Sequence, residues 1–108
     1  MFTDFNTYAE LNAITEQTAQ DLIAERARAD RAENIAYSAW YRVEWLEKLS
    51  DLIPLDNERF TAVLLRAYDD YESADDNAQT ARAKADEIGN ALDHLNALCA
   101  IWYTLENI

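Results

Sequence analysis

Residues 60–102 read FTAVLLRAYDDYESADDNAQTARAKADEIGNALDHLNALCAIW. Stepping from Phe60 alternately by four and three residues, every position reached is apolar as far as Trp102. Apolar residues at this average spacing are typical of a long α-helix that packs against another helix along one stripe. We call this stripe, with its counterpart described next, the seam. Its positions in this half are Phe60, Leu64, Ala67, Tyr71, Ala74, Ala78, Ala81, Ala85, Ile88, Leu92, Leu95, Cys99 and Trp102.

The half of the chain before residue 55 repeats the pattern in reverse. The same steps taken backwards from Ile53 end at Tyr8, and most positions reached are apolar. From Ser50 back to Tyr8, each position has a mirror partner in the later half, equally distant from residue 55. The sequence therefore predicts an all-α fold, a long antiparallel helical hairpin with a coiled-coil-like, alanine-rich seam. The central mirror pairs are Ala36 with Ala74, Ala32 with Ala78, and Ala29 with Ala81.

The element boundaries follow from capping residues and one proline. Thr7 and Glu10 have the spacing of a capping box, which predicts helix 1 over about residues 7–52. Pro54 interrupts the helix and predicts a turn at 53–56. Asp56 is the predicted N-cap of helix 2, over about 57–106, within a single domain of residues 1–108. The sequence leaves open whether helix 2 breaks at Gly89.

Composition excludes several classes of protein. The chain has 108 residues, a formal net charge of −12, and one Gly, one Pro and one Cys. Such an acidic chain is unsuited to binding a phosphate backbone or an anionic membrane surface directly, and it favours a partner with a basic surface. No stretch is apolar enough for a membrane span, and the first ten residues lack the basic residues of a secretory signal. We expect a cytoplasmic protein without disulfide bonds.

The residue types that carry chemistry are scarce. His94 has no second His at a metal-binding spacing, and we expect it to be a solvated surface residue. Cys99 lies on the seam, where it is expected to pack as a small apolar side chain. Glu25 is a polar residue on the seam, and we expect its side chain to reach out to solvent. We therefore expect no enzyme activity, no cofactor and no metal.

Aromatic residues lie off the seam of helix 1. Tyr37, Tyr41 and Trp45 follow one another at four-residue spacing, and Trp40 flanks the seam. We call these four residues the aromatic face, and exposed aromatic groups of this size usually mark an interface. The favoured interpretation is self-association into a homodimeric four-helix bundle; the alternatives are a dedicated partner or packing within a more folded monomer. A second stripe contains Leu98, Ile101, Leu105 and Ile108, with Phe2 and Phe5 expected nearby.

Acidic residues concentrate on helix 2. Five of them fall within eight positions, and we call them the acidic cluster. The simplest interpretation is a solvated helix face. The functional interpretation is a mimic of nucleic-acid phosphates that occupies the basic groove of a DNA- or RNA-binding protein. The members of the cluster are Asp69, Asp70, Glu72, Asp75 and Asp76.

No motif assigns the chain to a family. Residues 24–33, AERARADRAE, resemble many Ala/Glu/Arg-rich coiled coils, including bacterial and phage ones. Small acidic chains without motifs also recur among phage-encoded inhibitors of host proteins. The sequence favours a non-enzymatic protein–protein interaction module, an inhibitor, regulator or small scaffold that occupies a partner surface through the aromatic face. The alternative is a nucleic-acid mimic of the anti-restriction or anti-CRISPR kind, acting through the acidic cluster.

Overall fold

The computed structural model describes residues 7–53 and 57–107, and these ranges form two α-helices. Helix α1 spans Tyr8–Ser50, 43 residues, and helix α2 spans Glu58–Glu106, 49 residues. The two helices pack antiparallel, as the sequence predicts. Within the described ranges, neither helix contains a segment apolar enough to cross a membrane.

Side-chain caps fix where both helices begin. The backbone N–H of Glu10 donates to Oγ1 of Thr7 at 3.2 Å, as one half of a capping box requires. The N–H of Phe60 donates to Oδ1 of Asn57 at 3.1 Å, so Asn57 is the N-cap of α2. The prediction of Asp56 as this cap is therefore wrong by one residue, because Asn caps as well as Asp. Asp56 itself lies outside the described residues.

Helix α1 ends slightly earlier than predicted. Its last helical residue is Ser50 rather than Leu52. The N–H groups of Leu52 and Ile53 both donate to the carbonyl of Leu49, at 2.9 and 3.1 Å, and so satisfy one of the last helical carbonyls. Pro54 and the rest of the predicted turn lie outside the described residues.

Contacts divide the chain into two compact units, each built from a part of α1 and a part of α2. Among the described residues, the first unit contains 7–27 and 83–107, and the second contains 28–53 and 57–82. Every predicted seam position in each unit is buried or half-buried. The alternating step of four and three residues thus identifies the packed stripe of both helices.

The second unit has a core of large side chains. Val43 is fully buried there, together with Leu46 and Ala67. Farther along the seam of the same unit, alanines replace the large side chains, and Ala29 and Ala78 are buried. Small side chains let two helix backbones approach closely. The residues packed around the large core are Leu49, Phe60, Leu64, Tyr68 and Tyr71.

The first unit buries Leu11 completely and contains a polar contact on the seam. Oγ1 of Thr15 lies 3.3 Å from Sγ of Cys99, and it also donates to the carbonyl of Leu11 at 2.8 Å. Mirror pairing places Cys99 opposite Leu11, so the observed contact lies one seam step away. Cys99 is half-buried, and the neighbouring Leu98 is buried. Leu98 therefore does not belong to an outer stripe, because the packed face of α2 is wider here than two positions per heptad.

The prediction that Glu25 reaches solvent is wrong. Its side chain is only 12% exposed, and its Oε1 lies 3.6 Å from Nζ of Lys84. Ala85, the mirror partner of Glu25, is buried and small. The short side chain of Ala85 leaves room for the carboxylate on the seam, and the ammonium of Lys84 offsets part of the cost of burying a charge.

Helix α2 continues through Gly89 without a break. Gly89 has no positive φ, and a Cβ added to it would meet Cδ1 of Leu22 at 3.8 Å and Nη2 of Arg26 at 3.9 Å. Both distances are ordinary van der Waals contacts. The glycine therefore costs backbone entropy in the helix and relieves no crowding.

We expect Gly89→Ala to stabilise the protein by about 0.4–1 kcal/mol, because alanine is the better helix former and its methyl group fits. Urea unfolding followed by circular dichroism measures the change. Ala91→Gly is the matched control, since residue 91 is exposed on the same helix and should lose a similar amount. A loss of stability in Gly89→Ala would contradict a continuous helix at this position.

Candidate protein-binding surface

The aromatic face is exposed on α1 in the second unit. Tyr37 and Trp45 are each 61% exposed, Tyr41 is 55% exposed, and Trp40 is 38% exposed. Three of these residues lie four positions apart, so the helix aligns them on one side. The smaller exposure of Trp40 reflects its place beside the seam. The structure thus presents large aromatic surface to solvent, as the sequence predicts.

Neighbouring side chains contact three of the four aromatic residues, Tyr37, Trp40 and Tyr41. The rings of Tyr37 and Tyr41 pack edge to face, with centroids 4.9 Å apart and an interplanar angle of 82°. The hydroxyl of Tyr41 donates to that of Tyr37 at 3.3 Å, and this bond raises the pKa of Tyr41 because it stabilises the protonated form. Nε1 of Trp40 donates to Oε1 of Glu44 at 3.0 Å. Rings ordered in this way lose less side-chain entropy when a partner binds.

A groove runs beside Trp40 between the two helices of the second unit. The ring of Trp40 lies 5.1 Å from the ring of Tyr71, centroid to centroid, with the planes inclined at 52°. The groove has a volume of about 310 Å³, at the small end of the roughly 300–1,000 Å³ of typical ligand pockets. It joins the aromatic face to the acidic cluster. Its lining residues are Glu33, Ala36, Tyr37, Trp40, Tyr71, Asp75 and Ala78.

The structure separates Asp75 from the rest of the acidic cluster. Asp75 is half-buried and lines the groove, whereas the other four members of the cluster are exposed on α2. Its Oδ2 accepts a hydrogen bond from Nε2 of Gln79 at 2.8 Å. This donor is a neutral amide, so it orients the carboxylate without neutralising it. The exposed members are Asp69, Asp70, Glu72 and Asp76.

An ion-pair network contains the other acidic residue of the groove. Nε of Arg82 donates to Oε1 of Glu33 at 2.7 Å, and Nη2 of Arg82 donates to Oδ1 of Asp30 at 2.7 Å. The bond from Arg82 lowers the pKa of Glu33, and the two carboxylates raise the pKa of Arg82. Asp30 and Glu33 are exposed and Arg82 is half-buried at the surface, so the network contributes little to folding. The charge of Glu33 is thus paired with that of Arg82. Asp75, the second carboxylate of the groove, instead accepts its hydrogen bond from the neutral amide of Gln79.

His94 and Cys99 lie apart from the groove and do not line it. His94 is exposed, and the Cys99 thiol lies against the hydroxyl of Thr15. Within residues 7–53 and 57–107, no three His, Cys, Asp or Glu side chains are placed to hold a metal ion.

The second apolar stripe is seen only in part. Ile101 is 47% exposed and, with Leu105, lines a shallow apolar depression on α2. Ile108, the last member of the predicted stripe, and Phe2 and Phe5, which are expected near it, lie outside the described residues.

Four of the seven residues that line the groove are not part of the site predicted from the sequence. The sequence places Ala36, Tyr71 and Ala78 on the seam and assigns no role to Glu33. All four line the groove with Trp40. The position of Tyr71 on the seam next to alanines could have predicted a groove, because the small side chains of Ala74 and Ala78 cannot cover a tyrosine ring. No comparable sequence signal marks Glu33.

No protein-family model matches the chain, and neither the curated proteins nor the solved structures include a significant match.

Proposed function

We propose that this chain is a non-enzymatic protein–protein interaction module that regulates or scaffolds a partner by occupying its surface. The observation that carries the proposal is the exposed aromatic face, in which Tyr37 packs against Tyr41 and Trp40 lies beside a groove lined by Asp75. Aromatic side chains dominate the binding energy of protein interfaces, and ordered rings with a polar rim are the usual arrangement. The net charge of −12 favours a partner with a basic surface.

We also propose that the chain forms a homodimer. Tyr41 and Trp45 lie on the outer side of α1, where a second copy would cover them in a four-helix bundle. A two-helix protein with an alanine-rich seam buries little apolar area by itself, and dimerisation would add to it.

Replacing Tyr41 and Trp45 together by Glu tests whether the aromatic face mediates dimerisation. We expect the unmodified chain to have twice its monomer mass in sedimentation equilibrium, and Tyr41→Glu/Trp45→Glu to be monomeric and still helical. Burying two carboxylates in the interface should lower the association constant of the dimer more than about 100-fold, which corresponds to roughly 3 kcal/mol. Ile14→Glu/Ile23→Glu is the control, because it removes two exposed apolar side chains from α1 in the other unit.

The proposal of dimerisation fails if the unmodified chain is monomeric at micromolar concentration. The aromatic face as a whole loses its role if the control pair abolishes association as effectively as the Tyr41 and Trp45 pair.

A nucleic-acid mimic is the second candidate. The exposure of Asp69, Asp70, Glu72 and Asp76 on α2 favours it, because exposed carboxylates along a helix present a row of negative charge. Mimicry predicts that partner binding weakens steeply between low and moderate salt and that DNA or RNA competes for the partner. Asp→Asn replacement at these four positions would then abolish partner binding. Binding that is insensitive to salt would exclude mimicry and leave the aromatic face as the contact.

A further inference from the structure

We infer that the groove beside Trp40 is a recognition site for an arginine side chain, presented by a basic segment of the partner. The inference rests on the proposed function and names the chemistry that the interaction surface recognises. It draws on the ring arrangement, on the carboxylate of Asp75 and on the charge around the groove.

The aromatic rings provide the apolar walls of the site. Trp40 and Tyr71 are inclined to each other at 5.1 Å, and Tyr37 also lines the groove. A guanidinium group stacks on Trp and Tyr faces and is attracted by their negative quadrupole within about 6 Å of the ring centroid. Its three-carbon stem would pack against the methyl groups of Ala36 and Ala78.

The carboxylate of Asp75 provides the countercharge. It lines the same groove as the rings and is oriented by the amide of Gln79 at 2.8 Å. A carboxylate accepts several hydrogen bonds, so the bond from Gln79 leaves acceptor sites for the parallel N–H donors of a guanidinium. The other acidic residue of this groove, Glu33, is paired with Arg82, which gives one N–H to Glu33 and one to Asp30, so the two carboxylates offset the positive charge of Arg82.

The charge around the groove selects a basic segment over a second copy of this chain. Glu72 and Asp76 are exposed close to Asp75 in sequence, and the whole chain carries a net charge of −12. A cationic peptide is attracted to this region, whereas another copy brings the same net negative charge. A basic peptide is therefore the occupant that the groove favours, and the outer rings of Tyr41 and Trp45 stay available to a second copy.

The full chain, labelled with ¹⁵N, can be titrated with the acetylated, amidated peptide Gly-Ser-Arg-Gly-Ser-Arg-Gly-Ser. The reporter is the indole N–H signal of Trp40, and the indole signal of Trp102, in the other unit, is the internal reference. We expect the Trp40 signal to move saturably while that of Trp102 stays in place. A peptide with citrulline at both arginine positions keeps the shape without the charge and should bind at least about tenfold more weakly.

Two protein variants separate a specific site from general attraction. Asp75→Asn should weaken binding of the arginine peptide about tenfold, because it removes a charge-assisted hydrogen bond inside the groove. Asp76→Asn makes the same change of net charge at an exposed neighbour and should weaken binding less than about twofold. Circular dichroism checks that both variants keep the helical content of the unmodified chain.

The inference is overturned if the citrulline peptide binds equally well, or if Asp76→Asn weakens binding as much as Asp75→Asn. The inference alone is overturned if the indole signal of Trp40 does not move with the arginine peptide while Tyr41→Glu/Trp45→Glu still abolishes dimerisation. In that case the aromatic face remains an interface and the groove is not its recognition site.

Discussion

Val43→Asp is expected to unfold most of the second unit. Val43 is fully buried in the cluster with Leu46 and Ala67, where a carboxylate would be surrounded by apolar side chains. Leaving a charge buried without a partner costs about 3–5 kcal/mol, a large share of the roughly 5–15 kcal/mol that stabilises a typical domain. We expect the urea midpoint to fall sharply and helical circular dichroism to decrease at 25 °C.

Val63→Asp is the control for this substitution. Val63 lies on α2 in the same unit and is 42% exposed, so the new carboxylate can stay hydrated. Val63→Asp should lower the free energy of unfolding by no more than about 1 kcal/mol, because it changes only the helix propensity and a partly buried apolar contact. Equal destabilisation by the two substitutions would show that Val43 does not lie between the helices.

Ala29→Leu is expected to destabilise the protein by about 1–3 kcal/mol. Ala29 is fully buried in the alanine section of the seam, and in a two-helix structure the other helix must cover it. A leucine there would push the backbones apart or take a strained rotamer. Leucine and alanine have similar helix propensities, so the change in unfolding free energy reports packing and not helix formation.

Ala24→Leu provides the comparison, because residue 24 is exposed on the same helix. It should change the free energy of unfolding by less than about 0.5 kcal/mol. Stabilisation by Ala29→Leu would mean that the alanine section is loosely packed and accepts a larger side chain.

The helices and their packed stripe could be predicted because one periodicity extends over most of the chain. Each seam residue supports the same register, so a polar residue such as Thr18 does not disturb it. The contacts agree with mirror pairing to within a seam step, as Trp40 contacts Tyr71, whose mirror partner is Ala39. The predicted N-cap of α2 differs from the observed one by one residue, because Asp56 and Asn57 are both good capping residues and the sequence does not choose between them.

The groove could not be predicted in the same way. Periodicity says which side of a helix faces its partner, but not how much space two unequal side chains leave between them. The side chains of Tyr71 and Trp40 are too large to fit between Ala36 and Ala78 on the seam. Their rings therefore lie at the side of the seam, where they contact each other and line the groove. The positions of Glu25 and Glu33 depend on which cation reaches them, Lys84 and Arg82 respectively, and sequence spacing on separate helices does not determine that.

The surfaces proposed for binding depend on which residues the antiparallel packing leaves outside. A single substitution, Thr15→Cys, tests this packing most directly, because Oγ1 of Thr15 lies 3.3 Å from Sγ of Cys99. We predict that mild oxidation at low protein concentration gives a disulfide between residues 15 and 99 within one chain, identified by peptide mass mapping. Glu16→Cys, exposed on the same turn, should give no such bond. Failure of the residue 15 variant to form it, or its formation only between chains, would contradict the account.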